Sequence, residues 1–203
     1  MQLLTKETRD KRLGAEIGRL LGGREILDLI ENSVNPVTEL PGFHMFTKTF
    51  LEIRRRTRGQ YAVMYFDLDG LKKINDSLGH DRGNMLLVAF KTVLVKFFRR
   101  NESDVICHLG GDEFVVFSGR FASTEILLNW AGLARRAFQD LVAILKLEAD
   151  VSYGVGVGDG RDIGGLLETI KEADKEMYGM KRRHNAEKQA SMFENWDRER
   201  DLR

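Results

Sequence analysis

Five consecutive residues, Gly110-Gly111-Asp112-Glu113-Phe114, constrain this chain more than any other stretch. They join two apolar runs, 105–109 and 114–117. Apolar runs linked through a Gly-Gly pair form a β-hairpin, because glycine takes the positive φ of a tight turn without a Cβ clash. Folding does not ask for the acidic pair that follows. One acid at a hairpin tip is ordinary solvation. Two acids beside bare glycine backbone point to a cation and a phosphate held together.

A second acidic site lies upstream. Tyr61-Ala62-Val63-Met64-Tyr65-Phe66 is apolar and aromatic, which reads as a buried strand, and it ends in Asp67-Leu68-Asp69-Gly70. If this strand pairs beside the hairpin, the acids converge. Two or three carboxylates suit Mg²⁺, which leaves its other positions to water and substrate phosphates.

Four blocks now stand in order: Phe66-Asp67-Leu68-Asp69-Gly70-Leu71-Lys72-Lys73-Ile74-Asn75-Asp76; Leu78-Gly79-His80; Gly110-Gly111-Asp112-Glu113-Phe114; and Ala173-Asp174 with Met177-Tyr178 and Lys181. In order and spacing they resemble the GGDEF family, which comprises diguanylate cyclases and their inactive relatives. The resemblance spans residues 35–185. It agrees with the element order helix, strand, helix, hairpin, helix, strand, helix, which predicts an α/β fold with a mixed central sheet flanked by helices. The family's domain is similar to the palm of nucleotide cyclases and polymerases.

Three segments are expected: a helical extension over 1–34, which serves dimerisation or signal relay or simply packs on the domain; the domain at 35–185; and a charged tail at 186–203. Pro36 and Pro41, the chain's 2 prolines, mark the loop at the first boundary. Within the domain, helices are expected at 43–58, 84–100 and 123–145, the last capped by Ser123, with a final helix capped by Asp162. Strands are expected at 61–68 and 151–157, a helical turn at 71–76 and a loop at 77–83. The arginines 54, 55, 56 and 58 end a helix, where cations suit the dipole, so their role is read as structural. Gly154, Gly156, Gly158 and Gly160 form no dinucleotide fingerprint, because Asp159 and Arg161 stand where the last glycine belongs.

Composition excludes several classes. Net charge is +1 over 203 residues, so no overall field selects nucleic acid or a membrane surface. No apolar run approaches the ~20 residues of a membrane span, so membrane insertion is not expected. The single cysteine, Cys107, forms no internal disulfide, and with no signal peptide evident a cytoplasmic location is expected.

The resemblance implies a reaction: two GTP condense into cyclic di-GMP with release of two pyrophosphates, at the interface of a homodimer. It assigns Asp67, Asp112 and the backbone carbonyl of Leu68 to Mg²⁺ (or Mn²⁺), two ions per half-site, with Glu113 as a further ligand or as the group that activates the hydroxyl. Gly110 and Gly111 admit the nucleotide to the backbone. Lys72 and Lys181 hold the terminal phosphates, Asn75 contacts guanine, and Asp76 and His80 complete the substrate-binding set.

This chain also departs from the pattern. Where the family's second guanine reader is usually Asp, here stands Asn84. A carboxylate accepts from both N1–H and N2–H of guanine; an amide offers one acceptor and one donor, and suits adenine as well. Relaxed base choice is expected, with ATP as a second substrate and cyclic AMP-GMP as a product alongside cyclic di-GMP. Asn101-Glu102-Ser103-Asp104 lacks the arginine of the family's inhibitory product site, so product inhibition is expected to be weak. His108 and Asn185 replace two further arginines. These losses keep an alternative open: a degenerate module that binds GTP or a cyclic dinucleotide and regulates a partner protein.

Overall fold

The first core strand is apolar on both faces and therefore has to lie between two layers. The computed structural model, which describes residues 34–98, 103–119 and 123–201, places it there. The helical extension expected over 1–34 lies outside the described residues, apart from Val34.

The elements are α1 (Phe43–Arg56), β1 (Tyr61–Asp69), α2 (Leu71–Leu78), α3 (His80–Phe98), β2 (Asp104–Gly110), β3 (Glu113–Ser118), α4 (Thr124–Ile144), β4 (Asp150–Gly158) and α5 (Ile163–Asp201). The sheet order is β2-β3-β1-β4. This βαββαβ arrangement is the split βαβ topology, with β3 inserted between β1 and β2.

The α/β architecture stands as expected, but the sheet is antiparallel at all three described pairings rather than mixed. The reason lies in that insertion. β1 and β2 run the same way, yet the hairpin returns β3 between them, so each strand meets only antiparallel neighbours. The second difference is the loop expected at 77–83. Helix α2 continues to Leu78 and α3 starts at His80, leaving one linking residue, Gly79, at φ 85. A single glycine with positive φ replaces a seven-residue loop.

Two cores sandwich the sheet. Met64, Phe66 and Leu68 of β1 face α3 and α4, where Phe66, Phe90, Phe114 and Phe138 meet edge to face. Tyr61, Val63 and Tyr65 face α1 and α5, against Phe50, Phe117, Ala173 and Met177. Alternation along β1 therefore sends Asp67 to the α5 side of the sheet.

The β4 glycines have a packing role. A Cβ on Gly154 would fall on the backbone of Ala173 and Met177, and one on Gly156 on the carbonyl of Thr169. The glycine at every second position strips one face of β4 so that α5 can lie directly on its backbone. Arg54 is the structural arginine its position implied. It is 1% exposed, donates to the carbonyls of Gly59, Asp159 and Gly160, and lies 4.9 Å over the Tyr61 ring. Ser123 and Asp162 accept the expected capping bonds from the amides of Ile126 and Gly165. α5 continues as helix to Asp201, so the charged tail extends the last helix.

Candidate active site

Strand register builds the acidic end of the site. Asp67 on β1 is the direct partner of Glu113 on β3, so their side chains leave the same face as neighbours. The turn then folds Asp112 onto the end of β1, where its carbonyl accepts from the Leu68 amide at 3.0 Å. Gly110 and Gly111 have φ of 152 and 57, and a Cβ on either would meet nothing within 4 Å. Backbone conformation, not packing against the protein, requires these two glycines. Their outer surface is left bare.

An open cleft of about 850 Å³ runs along this end. Leu68, Asp69, Gly70, Lys72, Asp112, Lys181 and Asn185 line it. Asp67 reaches it through Lys181, whose Nζ donates to Asp67 at 2.6 Å and lies 3.4 Å from Asp69. Asp69 also accepts from the Ser152 hydroxyl at 2.7 Å.

Burial raises the Asp67 carboxyl; Lys181 opposes the rise, while Asp112 and Asp69 add to it. Burial alone would lower Lys181, but Asp67 and Asp69 outweigh it and hold the ammonium charged. The two partners thus pull in opposite senses. A 2.6 Å contact to a cation argues for an ionised Asp67 here; its upward shift comes first from burial, with the neighbouring carboxylates adding to it. Glu113 is likewise raised by burial, countered by a hydrogen bond from Tyr65, with Asp112, Asp67 and Asp174 adding repulsion. Burial drives the Tyr65 phenol well upward, so it stays protonated and donates to Glu113.

The acidic groups gathered on this edge, Asp67, Asp112 and Glu113, offer oxygen donors. That is the chemistry a hard divalent cation takes. Among the described residues, no three His, Cys, Asp or Glu side chains close into a metal cage by themselves. The remaining positions would fall to carbonyl, water and phosphate oxygens, as Mg²⁺ favours.

His108 is 2% exposed and lies flat on Phe114, ring centroids 4.2 Å apart. Its Nε2 is 3.2 Å from the Gly111 carbonyl, which can only accept, so Nε2 carries the proton. Nδ1 is then the acceptor for the Thr38 hydroxyl at 3.0 Å. Burial lowers its pKa, against the opposing pull of Gly111 and Asp112. The imidazole is a neutral crosspiece tying the entry loop to the glycine turn.

The base-reading candidates stand apart from this cleft. Asn75 is half-buried in the last turns of α2. Asn84 lines a separate apolar cleft of about 680 Å³ with Val37, Met85 and Val88. Asp76 and His80 are exposed at the α2–α3 junction. Asn101 and Glu102, in the stretch matched to the family's inhibitory product site, lie outside the described residues. Sequence reasoning missed Tyr65, Asp69 and Ser152. Strand alternation could have found the first two, since both sit two residues from Asp67 on one face.

A family model, Diguanylate cyclase, GGDEF domain, matches residues 33–187. The chain belongs to the GGDEF family. Among curated relatives, this GGDEF protein is 33% identical over 134 residues to the diguanylate cyclase TpbB of Pseudomonas aeruginosa, covering 62% of this chain and 29% of TpbB. It is 42% identical over 130 residues to the cyclic di-GMP phosphodiesterase NbdA of the same species, covering 61% of this chain and 16% of NbdA. The chain thus spans less than a third of either relative. The solved GGDEF domain of TpbB superposes with a TM-score of 0.58 at 27% identity, covering 72% of this chain and 92% of that domain. A sensory box/GGDEF family protein from Caulobacter crescentus gives a TM-score of 0.60 at 24% identity, covering 75% of this chain and 99% of that one, and shares the fold. One relative is named for making cyclic di-GMP and the other for degrading it. The chemistry of this GGDEF domain is therefore argued from its own residues. Among the described residues, no helix is long and apolar enough to cross a membrane.

Proposed function

We propose that this GGDEF domain is a nucleotidyl cyclase that joins two nucleoside triphosphates into a cyclic dinucleotide. In each half-reaction the 3′-hydroxyl of one nucleotide attacks the α-phosphate of the other. An O3′–P bond forms, the bond from the α-phosphorus to the bridging oxygen breaks, and pyrophosphate leaves. Two such steps close the ring, which calls for two copies of the chain facing each other as a homodimer.

The observation that carries this reading is the convergence of Asp67, Glu113 and Asp112 at one strand end, beside a cleft that also holds Lys72 and Lys181. Asp67, Asp112 and the Leu68 carbonyl would hold Mg²⁺ or Mn²⁺, which lowers the pKa of an attacking hydroxyl and offsets the charge of the leaving pyrophosphate. Lys72 and Lys181 are point charges suited to the terminal phosphates. Lys181 is already engaged by Asp67 and Asp69, so it links the acids to the phosphate end of the cleft. Glu113, desolvated and steadied by Tyr65, accepts the hydroxyl proton or completes the ligand set. The bare surface of Gly110 and Gly111 lets the nucleotide approach the backbone.

Asn75 and Asn84 read the base. Asn84 offers one acceptor and one donor, so it accepts guanine poorly and tolerates adenine. ATP is a second substrate on this reading, and cyclic AMP-GMP a product beside cyclic di-GMP.

Incubation of the purified protein with Mg²⁺ and GTP, ATP or both, followed by product mass determination, tests the proposal. Cyclic di-GMP from GTP and a mixed product from the two together are expected. GTP bound but never cyclised would point instead to a module that regulates a partner. Cyclic di-GMP alone with ATP equimolar would sink the relaxed base choice.

A further inference from the structure

We propose that Gly83 is a positioning residue for base recognition: its missing side chain is the seat that holds the Asn75 carboxamide. The inference rests on the base-reading role given to Asn75 above.

Gly83 is buried near the start of α3, facing the end of α2. The one-residue link brings them together. The Gly79 amide donates to the Asn75 carbonyl at 3.0 Å, and the Gly83 amide to the Gly79 carbonyl at 3.4 Å. These bonds fold α3 back over the last turn of α2. A Cβ on Gly83 would overlap Asn75 Oδ1, and it would stand 2.9 Å from Asn75 Cγ and 3.2 Å from Leu71 Cδ1. The carboxamide therefore lies against the bare Gly83 backbone. Helix α2 cannot retreat to make room, because Leu71 and Ile74 pin it to the core at 7% and 3% exposure. Any side chain at 83 has to turn Asn75 into another rotamer.

Glycine is not required here by backbone geometry. Gly83 lies inside a helix, and its φ is outside the left-handed range, unlike those of Gly70 and Gly79. Glycine in a helix interior is disfavoured relative to alanine. The space it leaves is what this position provides. Asn84, the other base-reading candidate, is the next residue. One turn of α3 thus supplies the seat for the first reader and the second reader itself.

The test compares GTP with inorganic tripolyphosphate, which presents phosphates and no base. Both are titrated, with Mg²⁺, into wild type, Gly83→Ala, Asn75→Ala and the double variant, with thermal midpoints measured alongside. Gly83→Ala is expected to weaken GTP about tenfold, the worth of one displaced hydrogen bond, and to leave tripolyphosphate unchanged. The double variant should bind GTP no worse than Asn75→Ala, since the new methyl then occupies vacated space. Equal weakening of both ligands, or additive losses in the double variant, would overturn the proposal. If Gly83→Ala fails to fold, the double variant decides: it should melt at or above Asn75→Ala, and an unfolded double variant overturns the assignment. Wild type that binds tripolyphosphate but not GTP would remove the base-reading role, and this inference with it.

Discussion

The proposed phosphate end and the proposed base end of this site are held by different physics. At the phosphate end, Asp67 and Glu113 are fixed by register inside a sheet with both faces buried, and Asp112 is bonded to the last turns of that ladder. Moving Asp67 or Glu113 means slipping a strand, which would exchange the side chains of the two cores on either face of the sheet. At the base end, Asn75 rides on an eight-residue helix and Asn84 on an exposed helical position. A side chain there can change without disturbing the core. On the proposed function, the chemistry is carried by the rigid element and base choice by a replaceable one, and the departure proposed to relax base choice, Asn84, falls on the replaceable side.

Substitutions at the two ends should separate accordingly. The largest effect is expected from Asp67→Asn or Asp112→Asn. Either should lower pyrophosphate release by on the order of 10³-fold while the fold survives, since several kcal/mol of charge stabilisation are lost from the transition state. A retained rate would move the chemistry away from the strand ends. Next comes Lys181→Met, which takes a cation from both the phosphates and Asp67. It should raise the nucleotide KM by roughly 10- to 100-fold, the range for hydrogen bonds to charged groups. An unchanged KM would show that Lys181 serves the acids alone.

Asn84→Asp acts at the other end. It should sharpen preference for GTP over ATP by about tenfold in competition assays, at an unchanged melting temperature. An unchanged product ratio would place base reading elsewhere. The smallest effect concerns pH. Burial depresses the His108 pKa below its ordinary value, so the unfolded chain binds its proton more readily. The stability His108 contributes is complete above about pH 6.5 and is lost as pH falls through the folded pKa. Chemical denaturation across pH 5–7 should show a decline in stability that is shallower in His108→Gln than in wild type. Equal slopes would mean that the buried imidazole is not the titrating group.

The stretches with a strong local signal were legible. A continuous apolar run and paired glycines located β1 and the hairpin, and the capping residues Ser123 and Asp162 marked helix starts. The loop at 77–83 was misjudged because Gly79 alone makes the turn, and a polar stretch does not reveal a helix pinned by Leu71 and Ile74. The antiparallel sheet could not be read, because strand order is decided by which strand inserts between the others, not by any residue. At the site, the candidate acids, lysines and base readers could be named from the family resemblance. Their support could not. The replacement at His108 reads from the sequence as a lost charge, whereas the fold shows a neutral bridge from Thr38 to Gly111. Tyr65 beside Glu113, and Gly83 beneath Asn75, are contacts between residues far apart in the chain or on neighbouring helices, and only packing reveals them.

The central claim is that Asp67 and Asp112 share a divalent cation under a triphosphate. A crystal structure with Mn²⁺ and a non-hydrolysable GTP analogue tests it most directly, through the anomalous signal of the metal. The expected result is a peak bonded to both carboxylates and to the Leu68 carbonyl, with Lys72 and Lys181 on the phosphates. A peak bonded to neither Asp67 nor Asp112, with the triphosphate outside the cleft, would contradict the account.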